Sequence, residues 1–220
     1  MVDLEVGLDT CCYIAGAGEY SGHGLPMEGD FVIAADAGYA RLLERGIVPD
    51  LIVGDFDSLN TMPEHPNILH SPAEKDDTDM MLAVKQGIKL GFKRFVIEGG
   101  MGGRFDHSLA NLQTLVYIAQ QGARGVLLGR DACITAVKNG SVGFLPGATG
   151  YISVFSAMGV AEGVTLTGLK YLLESATIRG DYPLGVSNEF SGVPATISVK
   201  NGTLIVTWTC GPEWLVVNSE

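Results

Sequence analysis

Two short stretches hold a density of carboxylates that any fold must accommodate. One is Gly54-Asp55-Phe56-Asp57-Ser58, the other Lys75-Asp76-Asp77-Thr78-Asp79. Together they place five aspartates within 25 positions, beside apolar runs that read as buried strands. Carboxylates drawn together repel each other and lose hydration, so they persist either in water or around a cation. Hard oxygen donors of this kind suit Mg²⁺, which is usually shared between one or two carboxylates and substrate phosphates. The pattern therefore points to metal-assisted chemistry on a phosphorylated substrate.

Other polar residues stand where such a substrate would lie. Asp36 directly follows the apolar run 31–35, and Asp55 and Asp57 follow the run 51–53. In open α/β sheets, ligands bind beyond the carboxyl ends of strands. The competing structural reading makes Asp36 a helix cap and Asp57 a turn anchor. Residues 75–79 precede a helical pattern, where Asp76, Asp77 or Thr78 suits an N-cap. Capping accounts for one or two of these residues and not all, and Lys75 adds a cation for a polyphosphate. Glu98-Gly99-Gly100-Met101-Gly102-Gly103-Arg104-Phe105-Asp106-His107 joins another strand to another helix. Its glycines let backbone approach a ligand, the helix start offers free N–H groups, and Arg104 can fork onto phosphate oxygens. His107 alone reads more simply as a packed or capping histidine. Gly16-Ala17-Gly18 with Gly22 does not fit GxGxxG, and no GxxxxGK[ST] occurs. In the tail, Ser187-Asn188-Glu189-Phe190 offers donors, acceptors and an aromatic ring to a small ligand; an ordinary β-turn explains the same residues equally well.

The elements that must position these groups follow from hydrophobic period. Apolar runs at 11–15, 31–35, 51–53, 67–70, 95–98 and 125–128 are nearly continuous, as in strands covered on both faces. Helical patterns lie between them at 38–45, 78–90 and 108–121. This alternation predicts an open, mostly parallel α/β sheet with helices on both faces. After about residue 132 the helical periods fade. Asn139-Gly140 and Asn201-Gly202 are flanked by strand formers and predict hairpins. Further short strands are expected at 151–155, 164–167, 171–173 and 175–178. The expected organisation is a catalytic domain at 1–132 and a small all-β sandwich at 133–220.

Composition bounds the rest. The 220 residues are 46% hydrophobic, ample for a core, and include 30 glycines, which implies many tight turns. The net charge of -11 argues against a nucleic-acid partner or an anionic membrane surface, both of which need clustered Lys and Arg. Cys11, Cys12, Cys133 and Cys210 show no CxxC spacing, so free buried thiols are expected rather than zinc or disulfides. The acidic N-terminus does not resemble a signal peptide and no long apolar run occurs, so a cytoplasmic location is expected.

These motifs, in this order, resemble the thiamine pyrophosphokinase family over nearly the whole chain. The resemblance runs through Asp36–Gly38, the stretch 49–58, Lys75–Asp79, Gly102–His107 with Asn111, and Ser187–Phe190. It implies an α/β catalytic domain followed by a β-sandwich, and homodimers whose sites are shared between subunits. It implies transfer of a pyrophosphoryl group from ATP to the hydroxyl of thiamine, with Mg²⁺, giving thiamine diphosphate and AMP. By the same resemblance Asp36, Asp55, Asp57, Asp79 and Asp106 form the metal and catalytic cluster. Lys75, Thr78, Arg104 and Asp36 would hold the nucleotide, and Ser187 and Asn188 the thiamine. One departure is Asp36-Ala37-Gly38 where the family often has Asp-Gly-Gly; alanine fits if residue 37 keeps a negative φ.

The implied reaction is attack of a hydroxyl on the β-phosphorus of ATP. Asp79 or Asp106 would accept the proton, and the residues do not choose between them. The rivals are a pyrophosphokinase for another hydroxymethyl heterocycle, a non-catalytic nucleotide-binding regulator and a Mg²⁺-dependent phosphatase.

Overall fold

The computed structural model of the protein describes residues 10–55, 65–70 and 76–209. The strands are β1 (Cys12–Ala15), β2 (Phe31–Ala35), β3 (Leu51–Gly54), β4 (Ile68–His70), β5 (Arg94–Glu98), β6 (Arg124–Leu128) and β7 (Ala132–Lys138). After these come β8 (Ser141–Phe144), β9 (Tyr151–Ser156), β10 (Val160–Thr167), β11 (Leu173–Arg179), β12 (Gly185–Glu189), β13 (Ala195–Ser198) and β14 (Thr203–Thr209). Among the described residues three helices, α1 (Gly38–Leu43), α2 (Asp79–Lys89) and α3 (Phe105–Gln120), interrupt the first half.

The chain is a mixed α/β fold. One sheet has ten strands in the order β12-β9-β14-β7-β6-β5-β1-β2-β3-β4. From β6 to β4 all neighbours are parallel, and from β7 to β12 they are antiparallel. A second, four-stranded antiparallel sheet runs β11-β10-β13-β8. The tail therefore does not form two sheets of its own. Half of its described strands extend the main sheet, because β7 pairs with β6 at Val126–Thr135, Leu127–Ile134 and Leu128–Cys133.

Side-chain alternation explains the layers. Cys12 and Ile14 face α2 and α3, within a core that includes Met80, Val84, Leu115 and Ile118. Tyr13 and Ala15 face the other way and pack with Leu42 of α1. Both faces of the parallel part are covered, hence the continuous apolar runs. In α2 the buried Met80, Ala83, Val84 and Gly87 recur at i, i+3, i+4 and i+7, one stripe of a helix. A third core, around Phe144, Ile152, Val164, Ile197 and Trp208, lies between the two sheets.

Two expectations are corrected. The Asn-Gly turns do not close hairpins. Asn139-Gly140 carries the chain from β7 in the large sheet to β8 in the small one, and Asn201-Gly202 carries it back from β13 to β14. The two turns bond each other: Asn139 N–H donates to the Gly202 carbonyl at 3.1 Å, and Gly202 N–H donates to Asn139 Oδ1 at 2.9 Å. The thiol expectation holds for buried Cys11 and Cys12, while Cys133 is disulfide-bonded. Cys210 lies outside the described residues. No helix among the described residues is long and apolar enough to cross a membrane.

Candidate active site

A cleft of about 660 Å³ opens beyond the carboxyl ends of β1, β2, β3 and β5. Each strand end supplies part of its wall, which is why residues distant in sequence converge there. Asp36 ends β2 and Asp55 ends β3, and both line the cleft. The Asp36 amide donates to the Val53 carbonyl at 2.8 Å, extending the β2–β3 pairing by one residue. Asp36 has φ +48°, a left-handed conformation uncommon outside glycine and often found at functional sites. The turn thus needs positive φ at the aspartate, while Ala37 has φ −63° and accommodates its methyl group. Gly38 must be glycine-like, since a Cβ there would overlap the Ala15 carbonyl.

Thr78 and Asp79 enter the cleft from the start of α2. Thr78 Oγ1 accepts the Met81 N–H at 3.1 Å, so Thr78 is the N-cap. Asp77 also lines the cleft, but Lys85 Nζ donates to both its oxygens at 2.8 and 2.6 Å. Its carboxylate is thereby engaged along α2.

The glycine-rich segment after β5 forms the opposite wall, with Gly99, Gly100, Gly102, Gly103 and Arg104. It is zipped to the turn after β1: Gly16 N–H donates to the Glu98 carbonyl at 2.8 Å, and Gly18 N–H to the Gly99 carbonyl at 2.7 Å. A Cβ on Gly16 would stand 2.6 Å from the Gly99 oxygen, so the two turns approach this closely only without side chains. Buried Asn111 ties α3 to the segment, its Nδ2 donating to the Gly100 carbonyl at 2.6 Å.

Beneath these turns Glu98 is fully buried. The Ser21 amide donates to its Oε1, and Ser21 Oγ donates to its Oε2 at 3.1 Å. Burial raises the Glu98 pKa above the ordinary carboxylate value, and the Ser21 hydrogen bonds oppose that rise.

Arg104 and His107 line the cleft, whereas Asp106 points along the surface and pairs with Arg104. The pairing is bidentate, Nε to Oδ1 at 3.2 Å and Nη2 to Oδ2 at 2.6 Å. The Asp106 carboxyl is held below its usual range, first by this guanidinium.

The site residues expected from the motifs thus divide. Asp36, Asp55, Thr78, Asp79 and Arg104 share one cleft, Asp106 is adjacent, and Asp57 and Lys75 lie outside the described residues. Ser187 and Asn188 stand on β12, at the opposite edge of the large sheet. Asn188 is buried, with Oδ1 accepting the Tyr171 and Glu189 N–H groups and Nδ2 donating to the Tyr171 carbonyl. Ser187 is exposed, with φ +59°. Phe190 packs edge-on against Phe144, 5.1 Å between centroids, and so belongs to the core between the sheets. The motifs alone did not assign the turn Gly16-Ala17-Gly18 to the site; its Gly-x-Gly after the first strand was the available signal.

Oxygen donors predominate on the acidic side of the cleft. Among the described residues no three carboxylate, histidine or cysteine side chains converge as a complete metal cage. A Mg²⁺ that completes its shell with phosphates and water needs only one or two carboxylates, so Asp36, Asp55 and Asp79 fit that ion by donor type.

Comparison with known proteins agrees along the length of the chain. Residues 25–127 match the family model for the thiamin pyrophosphokinase catalytic domain, and residues 142–204 match that for the thiamin pyrophosphokinase vitamin B1 binding domain. A thiamine pyrophosphokinase of Bacillus subtilis is 31% identical over 181 residues, covering 79% of this chain and 85% of the relative. Among solved structures, a thiamine pyrophosphokinase from Bacillus subtilis superposes with a TM-score of 0.80 at 28% identity, covering 91% of this chain and 99% of the other. A thiamin pyrophosphokinase from Geobacillus thermodenitrificans gives 0.77 at 28% identity, covering 93% and 100%. The chain that builds this cleft belongs to the thiamine pyrophosphokinase family.

Proposed function

We propose that this cleft carries out the family's reaction, moving the pyrophosphoryl group of ATP to the hydroxyl of thiamine and releasing AMP. The observation that carries the reading is the meeting of Asp36, Asp55 and Asp79 with Arg104 at the ends of four strands. The new bond joins the thiamine oxygen to the β-phosphorus. The bond to the α–β bridging oxygen breaks, and its electron pair leaves with AMP.

Mg²⁺ held by Asp36, Asp55 and Asp79, with Asp57 as a further ligand, would neutralise phosphate charge when bound. Arg104 turns from Asp106 to the phosphates, where its fork matches two oxygens. Asp79 or Asp106 accepts the hydroxyl proton. Lys75 and Thr78 complete the nucleotide contacts, with Thr78 offering its hydroxyl hydrogen while its oxygen caps α2.

The catalytic unit of this reading is 1–132, with an open, mostly parallel sheet, and the thiamine-binding unit is 133–220, a small β-sandwich that borrows strands of the main sheet. Ser187 and Asn188 contact thiamine in a cleft supplied by a second copy of the chain. Eight strand spacings separate β12 from β3, roughly 38 Å at about 4.8 Å each, too far for one chain's Ser187 and Asp55 to share a substrate. A homodimer with sites shared between subunits resolves that distance. The same reading makes the chain cytoplasmic, with neither nucleic acid nor membrane as partner; the disulfide at Cys133 is unusual in that compartment.

Asp55→Asn tests the cleft directly. Thiamine-dependent AMP release should fall by about 100-fold or more, while circular dichroism and the melting temperature stay those of the parent. Full activity in a folded Asp55→Asn protein would remove this carboxylate from the mechanism.

A further inference from the structure

Among the described residues Glu98 is the only charged side chain that is buried, and it is fully so. It ends β5 and does not line the cleft. A buried carboxylate is costly unless its oxygens are well partnered, and an apolar side chain would fill the same space without that cost. Its partners come from one residue. The Ser21 N–H donates to Oε1, and the Ser21 hydroxyl donates to Oε2 at 3.1 Å.

The direction of these bonds is fixed by what surrounds Ser21. Its Oγ already accepts the His23 N–H at 3.1 Å and the Gly24 N–H at 3.3 Å, which occupies both lone pairs. The hydroxyl hydrogen is left to donate, so Oε2 must accept it. Oε1 must accept as well, because a backbone N–H has only a proton to give. Two donors therefore face Glu98, and a carboxylate presents an acceptor to each where a carboxamide presents one. The Tyr13 hydroxyl closes the knot by donating to the Gly24 carbonyl at 3.1 Å, and Gly24 packs so closely that a Cβ there would overlap Glu98 Oε2. The backbone of Glu98 makes a further tie: its carbonyl accepts the Gly16 N–H at 2.8 Å. One residue thus holds both ends of the segment 16–21, and Gly16, Ala17 and Gly18 of that segment line the cleft.

We propose that Glu98 is a positioning residue for the reaction: acting through Ser21, its carboxylate sets how far the Gly16-Ala17-Gly18 wall stands from Asp36 and Asp55. The inference rests on the reaction proposed above. The wall is bonded to the glycine-rich segment at Gly99 and Met101, by the Gly18 and Glu19 N–H groups at 2.7 Å each. A shift at Ser21 therefore moves both turns together and reshapes the cleft on two sides. A displacement of about 1 Å at a reacting geometry costs on the order of 100-fold in rate, so a residue that never touches substrate governs turnover through this wall.

The test compares the parent with Glu98→Gln, Ser21→Ala and the double variant. Glutamine keeps the shape of Glu98 but offers one acceptor to two donors. The kcat and KM of thiamine-dependent AMP release are read well below every melting temperature, where loss of stability alone leaves both unchanged. Amide hydrogen exchange, followed by NMR, is read at Gly16 and Gly18, with Val206 of β14 as the distant control. Glu98→Gln should lower kcat about tenfold or more and quicken exchange at Gly16 and Gly18, with Val206 at the parental rate. In the Ser21→Ala background the same glutamine should cost less than about threefold, because the hydroxyl it opposes is gone. Parental kcat in folded Glu98→Gln, or an equal fall with and without the Ser21 hydroxyl, would overturn the proposal. Exchange that quickens as much at Val206 as at Gly18 would also overturn it, as general loosening of the fold. If Glu98→Gln does not fold, Ser21→Ala carries the test alone, since it too should lower kcat and loosen Gly18 selectively. A parent that releases no AMP with thiamine would remove the reaction instead; the exchange rates are read without turnover and still decide whether Glu98 holds the wall.

Discussion

Arg104 and Asp106 hold each other in a two-point fork at the mouth of the cleft, Nη2 to Oδ2 at 2.6 Å. The pair is exposed, so its role is in exchange rather than stability. A phosphate that draws Arg104 away also frees the Asp106 carboxylate from its hydrogen-bond partner. The Asp106 carboxyl sits below its usual range because of that guanidinium. Removing it in Arg104→Ala should let the Asp106 pKa rise to the ordinary carboxylate range. Any acid limb of kcat/KM that Asp106 governs should then move to higher pH, and kcat/KM itself should fall about 100-fold or more. Arg104→Lys should rescue little, since an ammonium lacks the fork. A pH-rate profile of the variants checks both points; full rescue by lysine would contradict the geometry.

Glu98 should leave a signature in stability. Burial raises its pKa in the folded protein, so between the unfolded and folded values the native state binds the extra proton. This contribution favours folding at low pH and is lost as pH rises through the folded pKa. The stability of Glu98→Gln minus that of the parent should therefore increase with pH above about 4.3, the unfolded carboxylate value, and then level off. Urea titrations from mildly acid to neutral pH measure it, and a pH-independent difference would show that Glu98 titrates as in the unfolded chain.

Thr78 is both a cap and a proposed nucleotide contact, and stability separates the roles. Thr78→Ala should cost about 1 kcal/mol of folding free energy through the lost bond to Met81 N–H. Thr78→Ser keeps the cap and should restore most of it. Asp77→Asn, which disrupts only an exposed pair with Lys85, should change stability little. An unaltered melting temperature in Thr78→Ala would remove the capping role.

The distance between Ser187 and Asp55 makes assembly a kinetic prediction. Ser187→Ala should raise the KM for thiamine more than that for ATP, and specific activity should fall on dilution as two-chain particles dissociate. Sedimentation and dilution assays check this. A fully active single-chain particle would contradict the shared site.

Much of the catalytic half was legible because its signals are local. Apolar runs covered on both faces gave β1, β2, β3, β5 and β6, and Asp36 and Asp55, which follow β2 and β3, line the cleft as strand ends should. The tail was harder. Asn139-Gly140 and Asn201-Gly202 carry a hairpin signal, yet each crosses between sheets, because each turn satisfies the other's backbone across 63 residues of sequence. No window sees such a partner. A second cleft, lined by Tyr20, Arg45 and Arg130, was hidden for the same reason: its residues come from three separate segments, and only the fold brings them together. The Asp-Ala-Gly turn was the opposite case, a local departure with a local answer, since the positive φ falls on Asp36.

The central claim concerns which phosphorus is attacked, and product identity tests it most directly. The purified protein is mixed with ATP, Mg²⁺ and thiamine, and the products are resolved by chromatography and mass spectrometry. Thiamine diphosphate appearing one-for-one with AMP is the predicted result. Thiamine monophosphate with ADP would place the attack on the γ-phosphorus and contradict the account.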